Sequence, residues 1–176
     1  MKSYTINICG KSVALPILNI GEVSICFFNL HGAAALTEHC AKFLAEKVTD
    51  ADIILTAESK GLQLSHCVAR ELGHEFYAVA RKSKKLYMQD GIEAEGQSIT
   101  TGGKQRYYLS KHDEDLLSGK KVAIVDDVIS TGGSLGALEK LAEKAGGNVI
   151  ARAFVLAEGD AALRNDIIYL AEIPLL

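Results

Sequence analysis

The stretch that most restricts the fold of this chain is VAIVDDVISTGGSL, residues 122–135. Four apolar residues run into two adjacent carboxylates, and a small-residue turn then opens a helix. An apolar run without polar alternation reads as a strand buried on both faces, which belongs to the parallel sheet of an α/β fold. The helix is legible in the spacing of Leu135, Leu138, Leu141, Ala142 and Ala145, and Gly146-Gly147 ends it. Ligands of open α/β sheets bind at the carboxyl ends of strands, so the expected site begins at Asp126 and Asp127. Such a pair can accept hydrogen bonds from two vicinal sugar hydroxyls, and its charge can stabilise positive character on a sugar C1 in a transition state. Gly132 and Gly133 permit a tight turn whose N–H groups converge on a phosphate at the positive end of the helix, and the Thr131 and Ser134 hydroxyls add donors.

The rest of the chain repeats the strand and helix alternation. Short apolar runs at 4–8 and 13–17 around Gly10-Lys11 predict a hairpin, with a third strand at 23–28 completing an N-terminal cap. Helical periodicity covers 33–48, a strand follows at 53–56, a helix at 62–72 is closed by Gly73, and another strand lies at 76–80. Strands at 149–156 and 167–173 finish the pattern. Between 81 and 118 the pattern dissolves into Lys, Gly, Gln, Ser and Thr with brief apolar stretches such as 107–109. This predicts a long mobile loop of the kind that serves as a functional lid. The expectation is an α/β fold in one domain, a mostly parallel sheet covered by helices on both faces.

Two further clusters look chemical. The strand at 53–56 runs into Ala57-Glu58-Ser59-Lys60-Gly61, a small turn before a helix that offers backbone donors to an anion, with Lys60 adding positive charge. The strand at 76–80 delivers Arg81-Lys82-Ser83-Lys84-Lys85, a basic run that is either a contact for an anion or a solvated charged face. Composition removes several alternatives. With 19 Lys and Arg against 22 Asp and Glu, the net charge of −3 gives no field for gripping nucleic acid. No apolar stretch approaches the roughly 18 to 20 residues of a membrane span, and the first residues lack signal-peptide character, so the expectation is a protein that neither enters a membrane nor is exported. Cys9, Cys26, Cys40 and Cys67 are widely spaced, without a CxxC pair, as free thiols are in a reducing cytoplasm. The five histidines form no HExxH or Ser-His-Asp grouping, and no protein metal cage is expected.

Segment 122–135 resembles the PRPP-binding (5-phosphoribosyl-1-pyrophosphate) signature of type I phosphoribosyltransferases. The resemblance implies that Asp126 and Asp127 hold the ribose hydroxyls, while Ser130, Thr131, Gly132, Gly133 and Ser134 hold the 5′-phosphate. It extends over nearly the whole chain. Glu58, Ser59, Lys60 and Gly61 are similar to the pyrophosphate loop of the adenine and xanthine branch. Arg81, Lys82 and Lys85 match the Arg-Lys-x-x-Lys-Leu run opening that branch's catalytic loop. The resemblance further implies a small hood formed by both termini, a flexible lid, Mg²⁺ carried on the substrate, and a homodimer. Its substrates would be PRPP and a purine base, in purine salvage. Phe28-Asn29 is similar to a Leu-Asn of the xanthine group and makes Asn29 the base contact.

Departures narrow the branch. The lid Glu-Tyr-Gly of adenine enzymes, whose glutamate assists proton transfer, reads Thr100-Thr101-Gly102 here. Segment 97–110 is closer to xanthine enzymes, and Ser130 stands where hypoxanthine-guanine enzymes of the human type carry an aspartate. Adenine is narrowly favoured over xanthine, hypoxanthine and guanine. A non-catalytic PRPP-binding regulator is the alternative from another class, although the roughly 50 residues before the sheet leave no room for a DNA-binding domain.

Overall fold

The computed structural model describes residues 2–21, 23–97 and 104–176. Three strands, β1 (Ser3–Ile8), β2 (Lys11–Ile20) and β3 (Val23–Cys26), form an antiparallel sheet. Cys9 and Gly10 both take positive φ in the β1–β2 turn, and Gly10 N–H donates to Asn7 Oδ1 at 2.8 Å. After α1 (Ala34–Ala45) come β4 (Ile53–Ala57), α2 (Leu62–Glu71) and β5 (Ala78–Ala80). The last regular elements are β8 (Lys121–Ile129), α4 (Gly133–Lys144), β9 (Asn148–Glu158), a 3-10 turn over Gly159–Leu163 and β10 (Ile168–Ile173).

The main sheet has five strands in the order β10-β9-β8-β4-β5, and every pairing in it is parallel. Alternation along each strand builds two cores. Ile54 of β4 with Ala123 and Val125 of β8 joins the cluster containing Cys40, Leu44, Leu64 and Val68 of α1 and α2. Ile53, Leu55, Val122 and Ile124 instead meet Leu135, Leu138 and Leu141 of α4. Period-2 side chains on β-branched and leucine-rich strands therefore require cover on both sides, as the continuous apolar runs imply. Among the described residues no helix is long and apolar enough to cross a membrane.

Two expectations change. The described residues of 81–118 are not structureless. They contain a hairpin, β6 (Ile92–Gln97) with β7 (Lys104–Leu109), followed by α3 (Lys111–Leu117). Ala94, Tyr107 and Leu109 are buried while Glu93 and Arg106 face water. So few apolar residues satisfy the hairpin because it packs on α4 and on the end of β5, where Arg81 bridges to Tyr108. Ser110 caps α3 by accepting from Asp113 N–H. The second change is that β8 continues four residues past Val125. The long β9 offers main-chain partners as far as Ala157, so the two acids lie within the strand rather than after it.

Candidate active site

The chain places β4 and then β5 to one side, and returns to lay β8, β9 and β10 on the other. Strand order therefore reverses between β4 and β8. At such a switch point the loops leaving the two strands diverge and open a crevice at their carboxyl ends. What meets there is the turn after β4, carrying Glu58 to Gly61, and the acids of β8.

Asp127 is 3% exposed and Asp126 is half-buried. Asp126 Oδ1 accepts from Asp127 N–H at 2.8 Å, and Asp127 Oδ1 accepts from Val128 N–H at 2.9 Å. Lys60 Nζ lies 2.7 Å from Asp127 Oδ2, so the β4 turn is tied electrostatically to β8. Burial and then the neighbouring Asp127 carboxylate push Asp126 up to about 7. Two crowded carboxylates thus hold a proton that a cation or a pair of hydroxyl donors could replace. Gly61 makes the approach possible. A Cβ there would stand 2.4 Å from Thr56 Oγ1 and 2.7 Å from Asp126 Oδ1.

The remaining residues of the β4 turn are held from below and above. The Glu58–Ser59 peptide is cis. Glu58 Oε1 accepts from Lys82 N–H at 2.6 Å and Oε2 lies 3.3 Å from Arg81 Nε, so this carboxylate fastens the basic run to the turn. Arg81 also donates from Nη1 to Tyr87 Oη at 2.7 Å. Lys82 and Lys85 are exposed, and Lys85 C=O accepts from Met88 N–H in a turn.

Ser130, Thr131 and Gly132 carry the chain from β8 into α4. Gly132 has φ +81°, a left-handed conformation that favours glycine, and α4 has no side-chain cap or acidic residue in its first turn. Its first N–H groups are therefore open to an anion. Asn29 is exposed and accepts from His31 N–H through Oδ1 at 3.1 Å, as a turn-forming asparagine does. Thr100, Thr101 and Gly102 lie outside the described residues. Among the described residues no group of three or more His, Cys, Asp or Glu side chains could hold a metal ion.

Two neighbours of the loop were not singled out from sequence. Tyr107 Oη lies 2.8 Å from Ser134 Oγ. Arg164, locked to Asp166 by Nε and Nη2 at 2.9 and 2.7 Å, brings its Nη1 within 2.8 Å of where a Gly132 Cβ would be. The alternation of Tyr107 and Leu109 was the only available signal for the first. Nothing local marks the second.

A family model described as "Phosphoribosyl transferase domain" matches residues 29–171. The adenine phosphoribosyltransferase of Thermosipho africanus is 34% identical over 121 residues, 68% of each chain. That of Lactobacillus delbrueckii subsp. bulgaricus is 33% identical over 141 residues, 80% of this chain and 71% of the relative. Among solved structures, adenine phosphoribosyltransferase from Thermoanaerobacter pseudethanolicus superposes with a TM-score of 0.74 at 24% identity, covering 90% of this chain and 95% of that one. The Saccharomyces cerevisiae enzyme, complexed with an imino-altritol bisphosphate and adenine, gives 0.69 at 22% identity, with 96% and 93% covered. At these identities the structural likeness establishes the fold.

Proposed function

The chain belongs to the phosphoribosyl transferase domain family, and from that membership we propose that it is a purine phosphoribosyltransferase of salvage that transfers the 5-phosphoribosyl group of PRPP to adenine. The observation that carries the reading is the convergence, at one switch point, of two crowded carboxylates with an uncapped glycine-rich helix start and a lysine-bearing turn.

The roles follow from the chemistry of each group. N–H groups of residues 131–134, with the hydroxyls of Ser130, Thr131 and Ser134, hold the 5′-phosphate at the positive end of α4. Asp126 and Asp127 accept from the two ribose hydroxyls, which fixes the sugar with C1 facing the crevice. As a base nitrogen bonds to C1 and the bond to pyrophosphate oxygen breaks, with the proton of that nitrogen leaving on the pyrophosphate, positive character grows on the ribose, and the adjacent carboxylates stabilise it more than the ground state. Ser59, Lys60 and Gly61 supply donors to the pyrophosphate, Arg81, Lys82 and Lys85 neutralise its charge as it leaves, and Glu58 keeps that basic run in place. Asn29 is the base contact of this reading.

The acids also fit Mg²⁺, because they present only hard oxygen donors and are too few to cage the ion without substrate oxygens. Bound with PRPP, Mg²⁺ supplies charge neutralisation that makes pyrophosphate a better leaving group. The proposal takes residues 1–176 as one domain working as a cytoplasmic homodimer. The free state of all four cysteines supports a reducing compartment, and light scattering at micromolar concentration tests the dimer. The assay that tests the activity is a panel of adenine, xanthine, hypoxanthine and guanine with radiolabelled PRPP and Mg²⁺. Adenine should give the highest kcat/KM, and no nucleotide from any base would overturn the reading.

A further inference from the structure

Tyr107 is 3% exposed, yet it ends in a hydroxyl that must find a partner once removed from water. That partner is Ser134, 2.8 Å away, an exposed residue in the first turn of α4. Each hydroxyl carries one proton to donate, so the direction of this bond decides where the serine proton points. Burial first raises the phenol's pKa, which keeps its proton in place at working pH. The phenol is also the more acidic of the two and hence the better donor. With Tyr107 donating to Ser134 Oγ, the serine proton is free to face outward beside the N–H groups of the helix start. In the reverse arrangement that proton would be spent on the hairpin.

The hairpin carrying Tyr107 is anchored on α4 independently of this bond. Gly96 packs so closely that a Cβ would lie 2.3 Å from Gly133 O. Lys144 Nζ donates to Glu93 O at 2.6 Å and Lys140 Nζ to Glu95 O at 3.4 Å. The phenol is therefore held in place by the fold before any ligand arrives.

We propose that Tyr107 is a positioning residue that orients the Ser134 hydroxyl as a donor to the 5′-phosphate of PRPP, so that the β6–β7 hairpin sets the affinity of the phosphate loop. The inference rests on reading residues 131–134 as the phosphate site. Its contribution belongs to substrate binding rather than to the chemical step, because the bond it orients is the same in ground and transition states.

The test is titration calorimetry of Mg²⁺·PRPP into the full chain, for wild type, Tyr107→Phe, Ser134→Ala and the double variant, with steady-state kinetics alongside. Phenylalanine keeps the ring that packs the hairpin, and alanine at exposed Ser134 removes only the hydroxyl. Thermal melts verify that the variants are folded. Each single variant should weaken PRPP binding by roughly three- to tenfold, the size of one hydrogen bond. The double variant should be no weaker than Ser134→Ala alone. For Tyr107→Phe, KM for PRPP should rise while kcat stays within about twofold. Wild-type affinity in Tyr107→Phe, or losses that add in the double variant, would overturn the proposal while leaving the phosphate-site reading intact. A wild-type chain that binds no PRPP would overturn that reading itself.

Discussion

Replacing Asp126 by Asn should stabilise the protein at alkaline pH while removing its activity, and the two effects share one cause. Burial and the adjacent Asp127 carboxylate raise the Asp126 carboxyl from 3.8 to about 7. A raised carboxyl means that the folded chain binds more protons than the unfolded one between these values, so stability falls as pH rises through that window. At ~1.4 kcal/mol per pH unit the full effect is at most ~4 kcal/mol, and the part lost between pH 5 and pH 7 is at most ~3. Asp126 is only half-buried, and solvent access reduces the observable loss to about 1–2 kcal/mol. Asparagine has no proton to lose and still offers Oδ1 to Asp127 N–H. The assay is urea unfolding of ligand-free wild type and Asp126→Asn at pH 5 and pH 8. The variant should gain about 1–2 kcal/mol relative to wild type on going from the lower pH to the higher, with turnover reduced by orders of magnitude. Parallel pH dependences in the two proteins would refute the reasoning. Asp127→Asn should move stability the other way, by about 1–2 kcal/mol at pH 8. It breaks the 2.7 Å pair with Lys60 and buries an amide in its stead.

Gly61→Ala should lower stability by about 1–3 kcal/mol and PRPP turnover by more than about tenfold, since its Cβ would overlap Thr56 Oγ1 and Asp126 Oδ1. Melts and kcat/KM check both. Gly96→Ala collides with the backbone oxygen of Gly133, so the hairpin should lift from α4. The readout is faster hydrogen exchange at residues 92–96 and 105–109, with β8 and β9 unaffected. Lys85→Ala should reduce kcat by about tenfold or more and weaken pyrophosphate inhibition without shifting the melting temperature, because the residue is exposed. Chelation of Mg²⁺ by EDTA should abolish turnover and leave the melting temperature of the free protein unchanged, with excess Mg²⁺ restoring activity.

Local spacing carried most of the architecture. The buried runs of β4, β8 and β9, the stripes of α1, α2 and α4, and the contiguous acids and glycine turn of residues 126–134 were all legible. Covalent connection holds those residues together, and a period of 2 or 3.6 states which way they face. Where the sequence was silent, partners distant in the chain decided the outcome. The length of β9 drew β8 on through Asp126 and Asp127, so acids expected beyond the strand became part of it. The pairing of β6 with β7 has no clear mark in the sequence because the apolar content of the two strands is low, and its stability comes from α4 and β5 rather than from its own pattern. The order β10-β9-β8-β4-β5 brings Lys60 and Gly61 against acids more than sixty residues later. Burial in the packed sheet raises the Asp126 carboxyl, the adjacent Asp127 adds to the rise, and Lys60, brought in from the β4 turn, offsets part of it. Composition and periodicity report what a residue prefers to bury. Only the packed sheet determines which buried charges must share one crevice.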